Sequence, residues 1–352
     1  MILTYKYRIK DRSAKKRLRR HAVALNQVWN YCVETQRECE SKYQAGAPKR
    51  CWPTHFDLQK LTAGSSKLLD THAGAITEIC RVFSEARDKR KRAPRFRTSS
   101  GPKRNLGWVP FRVCDRQLDG NAIRFLGKTY RWFGDKRRPL PEIVKGGSFV
   151  EDAQGKWWVC FHVEVAADLP TGNGEVGIDL GLKTLAALSD GTKIENLRHV
   201  RTWAQKLARA QRSGNKRRMK AIHARIANAR RDHLHKVSAR VCASNALIAI
   251  GNVNSSRLAK TRMAKSVFDA GWSAFRNMLR YKASRHGARY VEVDEKFTTQ
   301  TCSSCGTLPP ERPRGIAGLG IRAWDCSACG ASHDRDVNAV KKHSRAQCRA
   351  SC

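Results

Sequence analysis

Four cysteines and a short acidic stretch toward the C-terminus are the residues of this 352-residue chain whose spacing is most suited to chemistry. Cys302-x-x-Cys305 and Cys326-x-x-Cys329 are separated by the 20 residues Gly306 to Asp325, the arm length of a tetrahedral site in which four thiolates hold one Zn²⁺. Gly306 and Gly330 follow the two knuckles, where a positive φ is useful. Four thiolates leave no open coordination position, so the zinc is expected to staple a ribbon and not to act on a substrate. His333-Asp334-Arg335-Asp336-Val337-Asn338-Ala339 begins four residues after Cys329, which sets carboxylates beside the stapled finger.

Cleavage of a phosphodiester by two divalent ions needs several carboxylates converging on ions about 4 Å apart, supplied from the ends of different elements. Asp179 is the first candidate, inside the strand-like run Glu175-Val176-Gly177-Ile178-Asp179-Leu180-Gly181, whose glycines permit close backbone approach. A carboxylate in mid-strand is disfavoured for packing, which points to a functional reason for it. Asp334 and Asp336 are the others. Asp336 also precedes the helix-like Val337-Asn338-Ala339-Val340, where an acidic residue serves equally as a cap.

The partner of such a site is legible in the charge. The chain carries 69 Lys+Arg against 30 Asp+Glu, a formal net charge of +39, and the excess recurs in Lys10–Arg20, Arg87–Arg92, Lys136–Arg138 and Lys216–Arg218 instead of in one tail. A distributed excess of this size suits a long or wrapped polyanion, above all nucleic acid. Thirteen cysteines, an odd number and mostly unpaired in spacing, argue against a disulfide framework and for a reducing cytoplasm. Met1-Ile2-Leu3-Thr4-Tyr5-Lys6-Tyr7 is not a signal peptide, and no apolar run approaches the roughly 18 residues of a membrane span. No membrane partner is expected.

The elements that position these groups follow from periodicity. Residues 1–9 alternate as a strand, and from about Ser13 to Lys60 Leu18, Val23, Leu25, Val28, Trp29 and Val33 recur at helical spacing. Helix continues over Ala73–Ala86 and ends at the basic run and Ala93-Pro94. Trp108–Phe111, Ala122–Phe125 and Trp157–Val163 alternate as strands, giving a β module interrupted by a helical insertion, its aromatics better suited to a core than to base stacking. Leu169–Gly174 is a turn-rich linker. A second domain begins near Gly174, with a strand through Asp179, a turn at Ser189-Asp190-Gly191, two long helices between His199 and Val241 broken at Ser213-Gly214-Asn215, a strand Ala246–Ile250, a helix through Trp272 and Leu279, and a strand Arg289–Asp294.

Gly177-Ile178-Asp179-Leu180-Gly181, Gly271-Trp272-x-x-Phe275 running to Tyr281-Lys282, Thr299-Gln300-Thr301-Cys302-x-x-Cys305-Gly306 and His333–Ala339 together resemble the TnpB family, transposon-encoded RNA-guided nucleases ancestral to the CRISPR type V effectors. Trp29-Asn30 and Gly155-Lys156-Trp157-Trp158-Val159 resemble that family's N-terminal half. The resemblance implies an α+β multidomain chain: a β-barrel wedge domain (1–10 and 105–170), a helical recognition lobe (11–104), an RNase H-like RuvC nuclease domain (174–300 and 331–345), a zinc-ribbon target-nucleic-acid-binding insertion (301–330) and a disordered tail (346–352). It implies a guide RNA (omega RNA) and target DNA as partners, one or two chains per RNA, structural Zn²⁺, and catalytic Mg²⁺ held by three acids.

Asp179 and Asp336 match the first and third of those acids. Where the family reads roughly Ile-Glu-Asp-Leu-Asn for the second, this chain has Ile250-Gly251-Asn252-Val253-Asn254. Neither Gly251 nor Asn252 supplies a charged ligand. Glu295, at the end of the neighbouring strand-like run Val291-Glu292-Val293-Asp294-Glu295, is the expected replacement: strands lie about 4.8 Å apart, Gly251 leaves room, and period-two alternation groups Glu295 with Val291 and Val293, away from Glu292 and Asp294. The competing expectations are a guide-RNA-bound repressor that does not cleave and, more distantly, a zinc-ribbon DNA-binding accessory of transposition.

Overall fold

Leu3, Tyr5 and Tyr7 alternate with Thr4, Lys6 and Arg8, and this period of two makes β1 (Ile2–Arg8) a strand with its more protected face turned inward. The computed structural model describes residues 1–47, 52–114, 117–134, 139–167, 169, 171–253, 255–293, 300–310, 312, 321, 323–334 and 338. The mixed α/β chain divides into two units, Met1–Val165 and Ala166–Cys352. Among the described residues no helix is long and apolar enough to cross a membrane.

In the first unit β1 leads into α1 (Ala14–Gln44), which buries Leu18, Ala22, Leu25, Val28, Trp29, Cys32 and Val33 at spacings of three and four. Next come α2 (His55–Leu61), opened by a reciprocal capping box between Thr54 and Asp57, α3 (Ser65–Leu68) and α4 (Ala73–Arg90). The strands β2 (Trp108–Phe111), β3 (Gln117–Asp119), β4 (Ala122–Phe125), β5 (Lys128–Arg131), β6 (Val144–Glu151) and β7 (Trp157–Glu164) follow. They make two antiparallel sheets, β1-β7-β6-β2 and β3-β4-β5, with a bridge from Ile9 to Trp132. Helices and sheets share one apolar core. Phe111, Phe125, Phe149 and Phe161 lie inside it with neighbouring ring centroids 5.2–6.1 Å apart, so these strand aromatics are core residues, as their alternation predicts.

One buried ion pair locks the β6 end of this unit. Glu151 accepts from both Arg104 guanidinium nitrogens at 2.7 and 2.8 Å and from the Gly107 N–H at 3.1 Å. Burial opposes ionisation of Glu151, but the Arg104 and Gly107 hydrogen bonds and the Arg104 and Arg19 charges outweigh it, and the carboxyl sits below its usual range. A depressed folded-state value gives stability that is present above the unfolded carboxyl value and is lost as pH falls through the folded one. Unfolding titrations should therefore show acid destabilisation setting in below about pH 4, and Glu151→Gln should flatten that limb.

The second unit opens with β8 (Gly174–Leu180), β9 (Thr184–Leu188) and β10 (Lys193–Glu195), an antiparallel meander in which Ser189, in the turn after β9, accepts at its Oγ from the Gly177 N–H at 3.0 Å. Then come α5 (His199–Thr202), α6 (Ala204–Arg212) and α7 (Lys216–Ser244). The expected pair of long helices is corrected here: the first is short and interrupted at Trp203, and only α7 is long. Asn215 caps α7 by accepting from the Arg218 N–H at 2.9 Å. β11 (Asn245–Gly251), α8 (Ser255–Leu258), α9 (Ala264–Ala270), α10 (Trp272–Arg285) and β12 (Arg289–Val293) complete the layer, and β13 (Ala323–Asp325) pairs with β14 (Ser332–Asp334) in a small separate hairpin.

The five-stranded sheet runs β10-β9-β8-β11-β12, with β8, β11 and β12 mutually parallel. Val176, Ile178, Leu180, Ile248 and Ile250 face a core filled by Leu234, Val237 and Val241 of α7 and Trp272, Phe275 and Leu279 of α10. Trp272 and Phe275 are thus packing residues. Lys282 ties the same two helices, its Nζ donating to the His235 carbonyl at 2.6 Å and to Ser238 Oγ at 2.8 Å.

Candidate functional site

Alternation along β8 sends Val176, Ile178 and Leu180 into the core and leaves Gly177 and Asp179 for the other face. Asp179 is half-buried, toward the C-terminal end of the central strand. Its partner on β9 is Ala187, and Ala249 of β11 pairs with Gly177. Ile250 pairs with Ile178, so Gly251 is the next residue along β11, and Gly251 pairs with Val293 of β12. Asp179 is accordingly the large side chain in a strip of Gly177, Ala187, Ala249 and Gly251. That strip places small side chains beside Asp179 on its own strand and on both neighbouring strands.

The other acids separate clearly. Glu292, one residue before Val293, is engaged elsewhere, forming an ion pair with Arg280 and accepting from the Tyr290 hydroxyl at 2.9 Å. Asp334 belongs to the β13–β14 hairpin, opposite Ala323, with its Oδ2 3.7 Å from Lys193 Nζ of β10. Glu295 and Asp336 lie outside the described residues, as does Asp294. Of the three expected catalytic acids, Asp179 is the one whose surroundings are described.

The finger is better defined. Sγ atoms of Cys302, Cys305, Cys326 and Cys329 all lie within 4.8 Å of one another. Cys302 to Cys329 is 3.6 Å and Cys305 to Cys326 is 3.7 Å, close to the roughly 3.8 Å edge of a tetrahedron with Zn–S bonds of about 2.3 Å. Donor set and spacing both fit zinc. Gly306 and Gly330 have φ of +80° and +66°, as each knuckle requires. The Thr307 hydroxyl and main chain hold the Cys305 thiol down to about 6, so that ligand is ionised readily at neutral pH.

Two residues of the acidic motif turn out to serve the finger. His333 is buried on β14 with Nε2 3.0 Å from Cys302 Sγ and its ring 4.9 Å from that of Trp324. Once Cys302 is a thiolate, the ring N–H is a third donor to it beside the Ser304 and Cys305 amides. Asn338, buried, accepts from the Ser303 N–H and donates to the Thr301 carbonyl, both at 2.8 Å, clamping the first knuckle on either side of Cys302. The spacing of the cysteines carries no trace of either interaction; the only signal is the proximity in sequence of His333 and Asn338 to Cys329. His333→Ala is expected to lower zinc affinity about 10–100-fold, the usual cost of losing an outer-shell donor, read by chelator competition with all four thiols intact.

Residues 158–262 match the family described as "Probable transposase" and residues 272–342 the one described as "Cas12f1-like, TNB domain". A protein of Streptomyces pristinaespiralis named "Putative RNA-guided DNA endonuclease" is 32% identical over 323 residues, 86% of this chain and 76% of that one. The similarly named InsQ of Escherichia coli K12 is 27% identical over 92% of this chain and 87% of its own. Among solved structures, a Cas12f1–sgRNA–target DNA complex aligns over 99% of this chain and 100% of that one at 14% identity with a TM-score of 0.38. The two sequence relatives carry the assignment, and with that identity over most of both chains this protein belongs to the TnpB family of RNA-guided DNA endonucleases.

Proposed function

We propose that the chain is a TnpB-type RNA-guided endonuclease that cuts DNA with a two-metal carboxylate site formed by Asp179, Glu295 and Asp336. The observation that carries this reading is the position of Asp179 among small residues toward the C-terminal end of the central strand. The strand order β10-β9-β8-β11-β12, a meander followed by two parallel strands, supports an RNase H-like, RuvC-type domain over about 174–300 and 331–345. Two antiparallel sheets around one core and their helical insertion support a wedge (1–10 and 105–170) and a recognition lobe (11–104), and the four-thiolate hairpin supports a zinc ribbon at 301–330.

An all-carboxylate donor set suits Mg²⁺, which Asp179, Glu295 and Asp336 would hold. Bound there, the ions would activate a water and stabilise the leaving 3′ oxygen. Glu295 is assigned because Val293, two residues earlier, pairs with Gly251 next to the Asp179 position, while Glu292 is bound to Arg280. The arginines and lysines of α6 and α7 would hold phosphates without reading sequence, which guide pairing supplies beside a short protein-read motif in the target.

Gly251, where the family carries glutamate, favours one rival: a guide-RNA-bound repressor that does not cleave. Purification with the native RNA, sequencing of that RNA, and incubation with matched DNA and Mg²⁺ should give guide-dependent cleavage. Specific RNA and matched DNA binding without cleavage would establish the repressor; absence of specific RNA would overturn the guided reading altogether.

A further inference from the structure

The helices of the first unit hold two thiols that the nuclease reading does not use. Cys32 on α1 and Cys80 on α4 are both fully buried in the apolar core, and both are free of any disulfide. Contacts between the two helices bracket Cys32. Trp29, one turn before it, packs edge-on against Phe83 with ring centroids 5.3 Å apart, and Gln36, one turn after it, accepts from the Arg87 guanidinium at 3.0 Å. Between these contacts the two thiols are hydrogen-bonded to each other.

The pair is asymmetric. Cys80 Sγ also lies 3.6 Å from the Thr62 hydroxyl. The bond from Cys32 brings the Cys80 thiol below its usual range against the burial that opposes ionisation, and Thr62 adds to this. The same bond, and then burial, raise Cys32. Cys80 is thus the thiol that gives up its proton, and Cys32 the one that keeps it. Access comes by way of Thr62, which lines a cleft of about 110 Å³ with Ala63, Ser66, Ile76 and Thr77. A water needs only about 10–15 Å³ of such space, so a molecule as small as hydrogen peroxide is admitted to the side chain that touches Cys80.

We propose that Cys32 and Cys80 are an oxidisable pair, which a hydroperoxide entering by the Thr62 cleft converts to a disulfide that locks α1 to α4. The Cys80 thiolate attacks one peroxide oxygen and the O–O bond breaks; the leaving hydroxide takes up the proton that Cys80 released and departs as water, and Cys80 becomes a sulfenic acid. The Cys32 sulfur then attacks the Cys80 sulfur and the S–O bond breaks, the second hydroxide leaving as water with the Cys32 proton. Two thiols lose two electrons in all, and the peroxide gains them. The new bond closes the chain from Cys32 to Cys80 into one covalent loop, and a dithiol reductant reopens it. None of this depends on the nuclease reading.

The test treats the full, zinc-loaded chain with hydrogen peroxide and maps its peptides without reduction. Native protein should yield a peptide pair joined through Cys32 and Cys80 and separated by dithiothreitol, while Cys242, whose buried thiol donates to the Leu279 carbonyl, stays reduced. Cys32→Ala should halt the reaction at the sulfenic acid, so that dimedone labels Cys80; Cys80→Ala should leave Cys32 unlabelled. Thr62→Val should slow linkage at least about tenfold, the worth of one hydrogen bond to an ion. Oxidation should raise the melting temperature of the first unit by about 10 °C in native protein and leave both cysteine variants unmoved. Folded native protein that keeps both thiols free under peroxide overturns the proposal, as does linkage that appears only after denaturation. Dimedone on Cys32 in place of Cys80 overturns the assigned roles.

Discussion

Asp179→Ala lowers Mg²⁺-dependent cleavage of guide-matched DNA by more than about a hundredfold, beyond the loss that even outer-shell metal partners produce, while RNA binding stays native. That is the expected result if the half-buried carboxylate on β8 holds metal, because no described neighbour in its strip of Gly177, Ala187, Ala249 and Gly251 carries a charge to replace it. Glu295→Ala should give an equal loss. Glu292→Ala is the informative control: its carboxylate is already bound to Arg280 and Tyr290, so cleavage should remain near native with only a modest fall in stability. Cleavage lost with Asp179 but kept without Glu295 would remove Glu295 from the site. Cleavage lost with Glu292 would shift the second acid to the strand position one residue before Val293.

The second large effect is expected at the finger. Cys326→Ser, or prolonged chelation, should release the zinc and with it the fold of the hairpin β13–β14, because a four-thiolate site contributes on the order of 10–16 kcal/mol of folding free energy in zinc-finger peptides. Metal analysis should fall from one zinc per chain toward none, and limited proteolysis should open sites between residues 300 and 334. The core of the second unit, built from β8, β11, α7 and α10, has no part in the finger and should keep its melting transition. A chain that retains one zinc after Cys326→Ser would mean that His333, 3.0 Å from Cys302, has entered the coordination sphere.

Much of this arrangement was legible in the residues, and the parts that were not share a cause. The cysteine spacing identified four thiolates that do converge, and the apolar alternation around Asp179 marked β8 and its buried face. Helix α7 and the strands Asn245–Gly251 and Arg289–Val293 also followed from local periodicity. Adjacency did not. That β8 lies between β9 and β11, so that Gly251 and Val293 align near Asp179, depends on parallel pairing between segments more than 70 residues apart in the case of Gly177 and Ala249. Local pattern carries no register for such pairs. The break at Trp203 escaped because no Gly or Pro marks it and the residues that follow, Ala204-Gln205-Lys206-Leu207, are good helix formers. His333 and Asn338 were visible as types, but their roles arise from hydrogen bonds across 31 and 35 residues.

Asn338 draws these threads together. Its amide accepts on one side of Cys302 and donates on the other, a pattern that aspartate could copy only by half. In sequence it stands two residues after Asp336. Such a clamp links the first knuckle to Asn338, and linkage is reciprocal: whatever steadies Asn338 steadies the backbone on either side of Cys302, and a metal held by Cys302 steadies Asn338 in turn.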